Sequence, residues 1–369
     1  RNKKEDALFS MENITRANLQ TITVEVEDFN FEDLGNFLEV TSYIQLAAEP
    51  LLASIQEIQI KNEKIYIHDK FARIICYDMQ GKMIFKIDAK GAGPGEYTDV
   101  NTFVINEQSR ELIIYDNHKQ SLLFYNADNG IFFKTQKLVK PDPTAMASLG
   151  GVYYYDNRYH SNYPNDTDLY YSLLVSKNAM TMDRHYFPHN DAESSYRFRP
   201  TRQPFSYNDS VLYYCRNFDN VIYELNPDSL KALYKIMLPD PLPFSKIENK
   251  INGWELVNSK YSLGLESIYE CNNLLYFQFS KDGFLQSALY DLIQEKQIYC
   301  GKRLTDKVGK SVPIFQLIDG VYKGQFWGVF TPETIGYAMS KEPKDYPDIF
   351  RKYDPDTDNP IIAFYKVVQ

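Results

Sequence analysis

The chain has 369 residues, of which 44% are hydrophobic and 24% are charged, and its formal net charge is −9 at pH 7. This composition is that of a globular protein, and the acidic balance argues against nucleic acid and anionic membrane surfaces as partners. No apolar run approaches the roughly 20 residues of a membrane-spanning helix, so the sequence predicts no transmembrane segment.

The chain begins with a polar stretch, residues 1–18, which we interpret as a leader before one domain over residues 19–369. Beyond it, apolar runs alternate with polar residues at a period of two, which predicts half-buried β-strands. The first group of runs ends at Asp88 and contains IQEIQI, KIYIHD, RIICYD and MIFKID. The second group ends at Leu138 and contains TFVIN, ELIIYD, SLLFYN and IFFKTQKL.

The two groups are copies of one repeat. Residues 65–69 (IYIHD) align with residues 112–116 (LIIYD) at an offset of 47. A period of about 40–50 residues with four strands in each copy is typical of β-propeller blades. Three further copies follow, and a sixth group supplies only three runs, PIFQLID, QFWGVF and IIAFYKVV. The run SYIQL at residues 42–46 can provide the missing strand, which would close the ring without an exposed sheet edge.

The sequence therefore predicts an all-β fold, a six-bladed β-propeller of four-stranded antiparallel blades whose ring is closed by an N-terminal strand. Two stretches interrupt the strand pattern, at about residues 240–262 and 332–352, and are predicted to be loops with short helices. Pro332 followed by Glu333 is typical of a helix start.

The segment KGAGPGEYTDV at residues 90–100 concentrates glycine and proline between the first two groups. A phosphate-binding loop would need Lys-Ser or Lys-Thr, or a helix, after its last glycine, and here a glutamate and a strand follow instead. We interpret the segment as a tight crossing between blades, with glycines at positive φ, a glutamate that accepts backbone N–H bonds and a tyrosine that packs across the blade seam. The residues of this motif are Gly91, Gly93, Pro94, Gly95, Glu96 and Tyr97.

With these motifs in place, residues 42–125 resemble the first blade of six-bladed β-propeller proteins of the NHL and TolB-like type, which are common as secreted lipoproteins in Bacteroidetes. The resemblance rests on residues 65–69, on the turn at residues 77–82 and on residues 90–97, which match the family pattern G-x-G-P-G-E-Y. It implies this fold and an extracytoplasmic location, in the periplasm or at the cell surface, with a lipid anchor outside this chain. It implies little about chemistry.

Three aspartates end the second strand of successive copies: Asp69, Asp116 and Asp156. They could form a carboxylate ring or a calcium site, but an aspartate after a strand more often accepts the N–H groups of the following turn. Residues 354–358 (DPDTD) resemble the start of a calcium loop, yet Asn359 stands where its glycine is expected. We therefore expect no metal and no cofactor, with calcium as the alternative.

A candidate ligand site lies in the crossing into the fourth copy, where Arg197, Arg199 and Arg202 fall close together in an acidic chain. Guanidinium groups bind carboxylate, sulfate or phosphate bidentately, although Asp191 and Glu193 could pair with them instead. The preceding Tyr-rich segment contributes Tyr159 and His160, because such rings suit sugar or peptide recognition.

These features predict an exported, monomeric binding or scaffold protein that recognises a glycan, a peptide or a partner protein on the mouth of the ring, with no catalytic residue assigned. The histidines form no H-E-x-x-H pair and no G-x-S-x-G elbow occurs. The alternative is a metal-dependent lactonase-like or lyase-like enzyme with its site in the central channel.

Overall fold

A computed structural model describes residues 14–27, 32–138, 141–157, 171–188, 203–216, 218–248, 252–302, 304–305, 318–341 and 346–368. Most of its strands form six blades, whose first strands contact one another around a central channel, and two short strands form a separate two-stranded sheet. This arrangement confirms the predicted all-β propeller with six antiparallel blades.

The first three blades follow the predicted runs, and each has four strands from the channel outwards. Blade 1 consists of Ile55–Lys61, Lys64–Asp69, Ile74–Asp78 and Met83–Ile87. Blade 2 consists of Thr102–Asn106, Glu111–Asp116, Ser121–Asn126 and Phe132–Lys137. Blade 3 consists of Ala145–Leu149, Val152–Asp156, Tyr171–Ser176 and Arg184–Pro188.

The next two blades also match the predicted runs. Blade 4 contains Phe205–Asn208, Val211–Cys215, Val221–Leu225 and Leu230–Met237. Blade 5 contains Leu265–Cys271, Leu274–Lys281, Phe284–Asp291 and Lys296–Gly301. Between these blades lie the helices α1 (Phe244–Glu248) and α2 (Gly253–Val257), inside the first predicted insertion.

Blade 6 joins the two ends of the described chain. Its strands are Gly320–Tyr322, Gln325–Phe330, Ile361–Val367 and, on the outside, Leu38–Gln45. The predicted closure by an N-terminal strand is thus confirmed, with Ile44 opposite Ile362 in antiparallel register. Helices α3 (Pro332–Met339) and α4 (Asp348–Arg351) occupy the second insertion, and the Thr331 hydroxyl accepts the Thr334 N–H at the start of α3. The inner strand begins at Gly320, directly after the run PIFQLID that was predicted to form it.

The N-terminal segment that precedes the outer strand Leu38–Gln45 of blade 6 runs along the outside of the ring. Ile14–Thr15 and Gln20–Thr23 pair in parallel with the outer strand of blade 4, which gives that sheet six strands instead of the predicted four. Farther along, the Glu27 N–H donates to the Cys300 carbonyl at 2.7 Å, and Glu32–Asp33 pair with Leu304–Thr305. The predicted leader, residues 1–18, therefore includes a strand at its end.

This N-terminal segment contributes to stability through Ile22, which is completely buried against blades 4 and 5. Replacing Ile22 by alanine is expected to lower the free energy of unfolding by about 2–4 kcal/mol, because the side chain leaves a cavity in a packed seam. Urea denaturation would measure the change. The matched control is Thr21→Ala on the exposed face of the same strand, and equal losses in both variants would contradict the role of burial.

Each of the six seams between neighbouring blades contains a hydrophobic cluster, and a smaller seventh cluster lies around Leu256 and Leu263. Tyrosine supplies much of the hydrophobic core, and many of its rings are completely buried. All four cysteines are buried and none forms a disulfide bond, so they fill space inside the strands as small side chains. The packed seams hold the six inner strands rigidly around the channel, and this is the feature that positions a site.

Candidate ligand site at the mouth of the ring

The crossing between blades 1 and 2 brings the chain to the end of the channel where the inner strands begin. Within it, Glu96 accepts the Gly93 N–H at 2.6 Å, and the Tyr97 hydroxyl donates to the Ala72 carbonyl at 2.7 Å. Tyr97 is completely buried in the seam between the two blades. Lys119 of blade 2 donates to the carbonyls of Gly91 and Glu96 at 3.0 and 2.8 Å. The motif therefore joins two blades through its backbone.

The glycines of this motif serve two different purposes, contrary to the expectation that all of them need positive φ. Only Gly95 has a positive φ, of 75°. Gly91 and Gly93 instead leave room for the Glu96 carboxylate, since a Cβ at Gly91 would lie 2.2 Å from Glu96 Oε2 and one at Gly93 would lie 3.1 Å from it. The close approach of a carboxylate, and not the turn geometry, requires these two glycines.

The three repeated aspartates are buried and hold the same end of the ring together. Asp69 accepts the Ala53 and Arg73 N–H groups at 3.1 and 3.2 Å and pairs with the Arg73 guanidinium. Asp116 accepts the Thr98 N–H at 2.6 Å and the Lys119 N–H at 3.0 Å.

Asp156 differs from the other two aspartates because it accepts hydrogen bonds from hydroxyl groups. These come from Thr144 at 3.1 Å and from Tyr214 of blade 4 at 2.9 Å. All three carboxylates thus link the end of a second strand to other parts of the fold, and in each case one donor lies just before the inner strand of the same blade.

Residues 354–358 form a turn closed by their own groups. The Asp354 N–H donates to the Asp358 carboxylate at 2.9 Å, and the Asp356 N–H donates to the Asp354 carboxylate at 3.0 Å. The predicted ligand-binding residues lie outside the described residues, and their assignment stays a prediction: these are Arg197, Arg199, Arg202, Tyr159 and His160.

A cavity of about 380 Å³ opens at the end of the channel where the inner strands begin; we call it the mouth cavity. Every blade contributes to its wall, and one residue from each blade illustrates this: Glu57, Thr102, Thr144, Gln203, Tyr269 and Asp319. The wall combines amide, hydroxyl and carboxyl groups with the aromatic rings of Phe205, Tyr207 and Trp327. Among the described residues that line it, none is a lysine or an arginine.

The floor of the mouth cavity consists of Ile60, Tyr207 and Val321, which also border a smaller cavity of about 280 Å³ towards the opposite end of the ring. Tyr207 is held in place because its hydroxyl accepts the Ser148 N–H at 2.9 Å. Beneath it, Lys61 Nζ lies 3.4 Å from the centre of the Tyr207 ring. These three residues therefore separate the mouth cavity from the smaller one.

Glu57 is the most strongly constrained acid of the mouth cavity. Its carboxylate accepts bonds from the Gln59 side-chain amide at 2.8 Å, the Thr102 hydroxyl at 3.2 Å and the Phe103 N–H at 3.4 Å. Burial raises the pKa of Glu57 to about 7, because these neutral donors compensate only part of the lost hydration.

Asp319 lies on the neighbouring blade 6 and has a similar environment. One carboxylate oxygen accepts the Val329 N–H at 2.8 Å, and burial raises the pKa of this group to about 7 as well. Burial lowers the pKa of His68, which also lines the cavity. The site thus contains acids that change charge near neutral pH.

Asp319 should make the free energy of unfolding decrease as pH rises, whereas an aspartate in a salt bridge makes it increase. Between its ordinary pKa of 3.8 and its folded pKa of about 7, only the folded protein retains the proton. The free energy of unfolding should therefore fall as pH rises through this interval and level off above it. In Asp319→Asn this contribution disappears, because the amide oxygen can accept the same N–H bond without a charge.

Urea denaturation at pH 5 and pH 8 checks this expectation. The free energy of unfolding of Asp319→Asn minus that of the wild type should be larger at pH 8 than at pH 5. Asp356→Asn, which makes the same change on an exposed turn, serves as the control. A variant whose stability difference from the wild type is the same at both pH values would contradict the assignment.

Within the described residues, no group of three or more His, Cys, Asp and Glu side chains is placed to hold a metal ion. The part of the chain that the structure describes also contains no helix long and apolar enough to cross a membrane. The sequence predicted a ligand on the mouth of the ring, but none of the candidate residues that it named is among the described residues that line the mouth cavity.

Two solved structures are similar to this chain over nearly its whole length. A Bacteroides fragilis protein described as exported shares 16% identity with a TM-score of 0.76, and the match covers 95% of this chain and 100% of that one. A member of the DUF4221 family from Bacteroides vulgatus shares 10% identity with a TM-score of 0.53, over 90% and 98% of the two chains. At these identities the likeness shows the fold alone.

No curated protein matches the chain. A family model does match, over residues 19–366, which is nearly all of the propeller and its N-terminal segment. The chain therefore belongs to the family described as domain of unknown function DUF4934.

Proposed function

We propose that this propeller is an exported, monomeric binding protein that holds part of a glycan, peptide or protein ligand in the mouth cavity. The observation that carries the proposal is that all six blades contribute residues to one cavity at the end of the channel where the inner strands begin. Its volume of about 380 Å³ falls in the usual range of about 300–1,000 Å³ for ligand sites. Amide and hydroxyl groups beside aromatic rings suit sugars and peptides. Export, with a lipid anchor outside this chain, is proposed from the family resemblance and from the Bacteroides fragilis protein described as exported.

Filling the cavity provides the test. Ala145 lines it, so Ala145→Trp should block the site, whereas Thr135→Trp adds the same ring on an exposed outer strand of blade 2. Wild-type protein and both variants would be screened on a glycan array and a peptide library. A ligand that binds the wild type and Thr135→Trp but not folded Ala145→Trp supports the proposal. Equal binding by all three places the ligand elsewhere.

The second candidate is a metal-dependent lactonase-like or lyase-like enzyme in the channel. It is favoured by the raised pKa values of Glu57 and Asp319, both about 7, since general acids and bases work best near the ambient pH. Panels of lactones and of uronic-acid polymers, assayed with and without divalent cations, would test it. Turnover that disappears in Asp319→Asn would replace the binding proposal with this one.

A further inference from the structure

The charges around the mouth cavity are unbalanced. Three carboxyl groups line it, those of Glu57, Asp99 and Asp319, and among the described lining residues the only basic side chains are His68 and His118. The net charge of the whole chain, −9, adds to the negative potential. A cavity with low-dielectric walls concentrates such a field at its opening, so it attracts cations and repels anions.

No lysine or arginine of the described residues pairs with the Glu57 carboxylate. Its donors in this part of the chain are all uncharged: the Gln59 amide, the Thr102 hydroxyl and the Phe103 N–H. A positive charge close to this group would favour its ionised form, which burial otherwise disfavours. The site is therefore arranged for a cation that the described residues themselves do not provide.

Two further acceptors belong to the same wall. From the described residues Asp319 accepts one hydrogen bond, which the Val329 N–H donates to Oδ2. Gln59 lines the cavity, is only 8% exposed and donates its amide to Glu57 and to the Phe103 carbonyl at 2.8 Å each. Its Oε1 has no hydrogen-bond partner among the described residues, and a buried acceptor of this kind costs about 1–3 kcal/mol.

From this arrangement we propose that the mouth cavity selects ligands through a primary ammonium group. An ammonium carries N–H donors and a positive charge. These suit the carboxylates of Glu57 and Asp319, the Gln59 oxygen beside Glu57 that has no partner among the described residues, and the absence of lysine and arginine from the described wall. The aromatic rings of Trp327 and Phe205 accept the carbon part of such a ligand. Lysine side chains and amino sugars share this chemistry. The inference rests on the proposed binding function of the same cavity.

The test uses n-butylamine as the probe, with 1-butanol and butyrate as neutral and anionic controls of the same chain length. Binding to the whole protein is measured by NMR titration at pH 7.5. We expect n-butylamine to bind and the two controls to bind at least about tenfold more weakly, because a charge-assisted hydrogen bond contributes about 1.5–3 kcal/mol.

Variants identify the groups responsible. Asp319→Asn and Glu57→Gln should each weaken n-butylamine binding by about tenfold or more, whereas Asp356→Asn, with the same charge change on an exposed turn, should not. Urea denaturation verifies that each variant is folded. Equal binding of n-butylamine and 1-butanol, or unchanged binding in both cavity variants, overturns the inference.

A second pair of probes distinguishes the sources of the ammonium group. Glucosamine is compared with N-acetylglucosamine, and lysine amide acetylated at its α-amino group is compared with the corresponding norleucine derivative. Preference for the ammonium member of either pair supports the inference and names the source. If an array ligand is lost in Ala145→Trp but neither pair shows a preference, the binding function stands and the ammonium inference fails. Ligands that still bind Ala145→Trp contradict both.

Discussion

Replacing Asp69 by alanine is expected to lower the free energy of unfolding by about 3–5 kcal/mol, the usual effect of removing one partner of a buried ion pair. The Asp69 side chain is completely buried, and its partner Arg73 has a side chain that is 13% exposed. Without the carboxylate, the guanidinium and the N–H groups of Ala53, Phe71 and Arg73 lose their acceptor. Urea denaturation at pH 7 measures the change.

Asp78 provides the matched control, since it ends the next strand of the same blade. It accepts the Gln80 and Lys82 N–H groups at 2.9 Å each and is only partly buried. Asp78→Ala should therefore lower the free energy of unfolding by only about 1 kcal/mol. Equal losses at Asp69 and Asp78 would contradict a special contribution from burial and from Arg73.

The Asp69 pair also has a pH signature. Hydrogen bonds and the charge of Arg73 keep the pKa of Asp69 below its ordinary value despite its burial. The stability it provides is present above the ordinary pKa and is lost as pH falls through the lower folded pKa. This acid-side loss is distinct from the fall towards neutral pH expected for Asp319.

The second large effect is expected at the seam that closes the ring. Gly81 has a φ of 78°, and a Cβ there would lie 2.1 Å from the backbone oxygen of Gln45 in the outer strand of blade 6. The Gly81 carbonyl also accepts the Ala47 N–H at 2.8 Å, so the two backbones are in direct contact. Gly81→Ala is expected to lower the free energy of unfolding by about 2–5 kcal/mol, which combines an unfavourable φ with steric overlap.

Gly150→Ala separates these two contributions. Gly150 has a φ of 57°, but a Cβ there meets no atom within 4 Å. This variant should lose only the conformational part, about 1–2 kcal/mol. Denaturant titrations of both variants measure the difference. If the loss at Gly81 does not exceed that at Gly150, the contact between blades 1 and 6 does not stabilise the closed ring.

The blades could be predicted from the sequence because each is a series of neighbouring antiparallel strands. Strand pairing inside a blade joins segments that are close in the chain, so a period of two and a repeat of 47 residues between residues 65–69 and 112–116 are both visible. The fourth strand of blade 6 could be predicted as well, because an open edge at Ile361–Val367 would need a partner.

The residues that line the mouth cavity could not be predicted, for reasons that individual residues show. The register between the first two strands of blade 1 shifts between Ile55 and Glu57, so alternation does not tell which side chain faces the channel. Asp319 precedes an inner strand of only three residues, Gly320–Tyr322, too short to give a periodic pattern. A wall assembled from six blades has no local motif at all.

In the crossing motif, the residue preferences of turns explain only some of the glycines. Gly95 follows the rule that glycine occupies positive φ, but Gly91 is required by the Glu96 carboxylate, which no local propensity describes. The sequence pattern identified the segment as structural, and the atomic contacts explain why its glycines differ in purpose.

The closing strand also determines the order in which the molecule can fold. Ile44 pairs with Ile362, so this strand must wait for a partner that is translated more than three hundred residues later. Blade 6 cannot be completed before blades 1 to 5 have been translated, and contacts between residues so distant in sequence slow folding. Until the C-terminal strand arrives, the edge of Leu38–Gln45 is open to incorrect pairing, and completion of the ring is the last step that protects it.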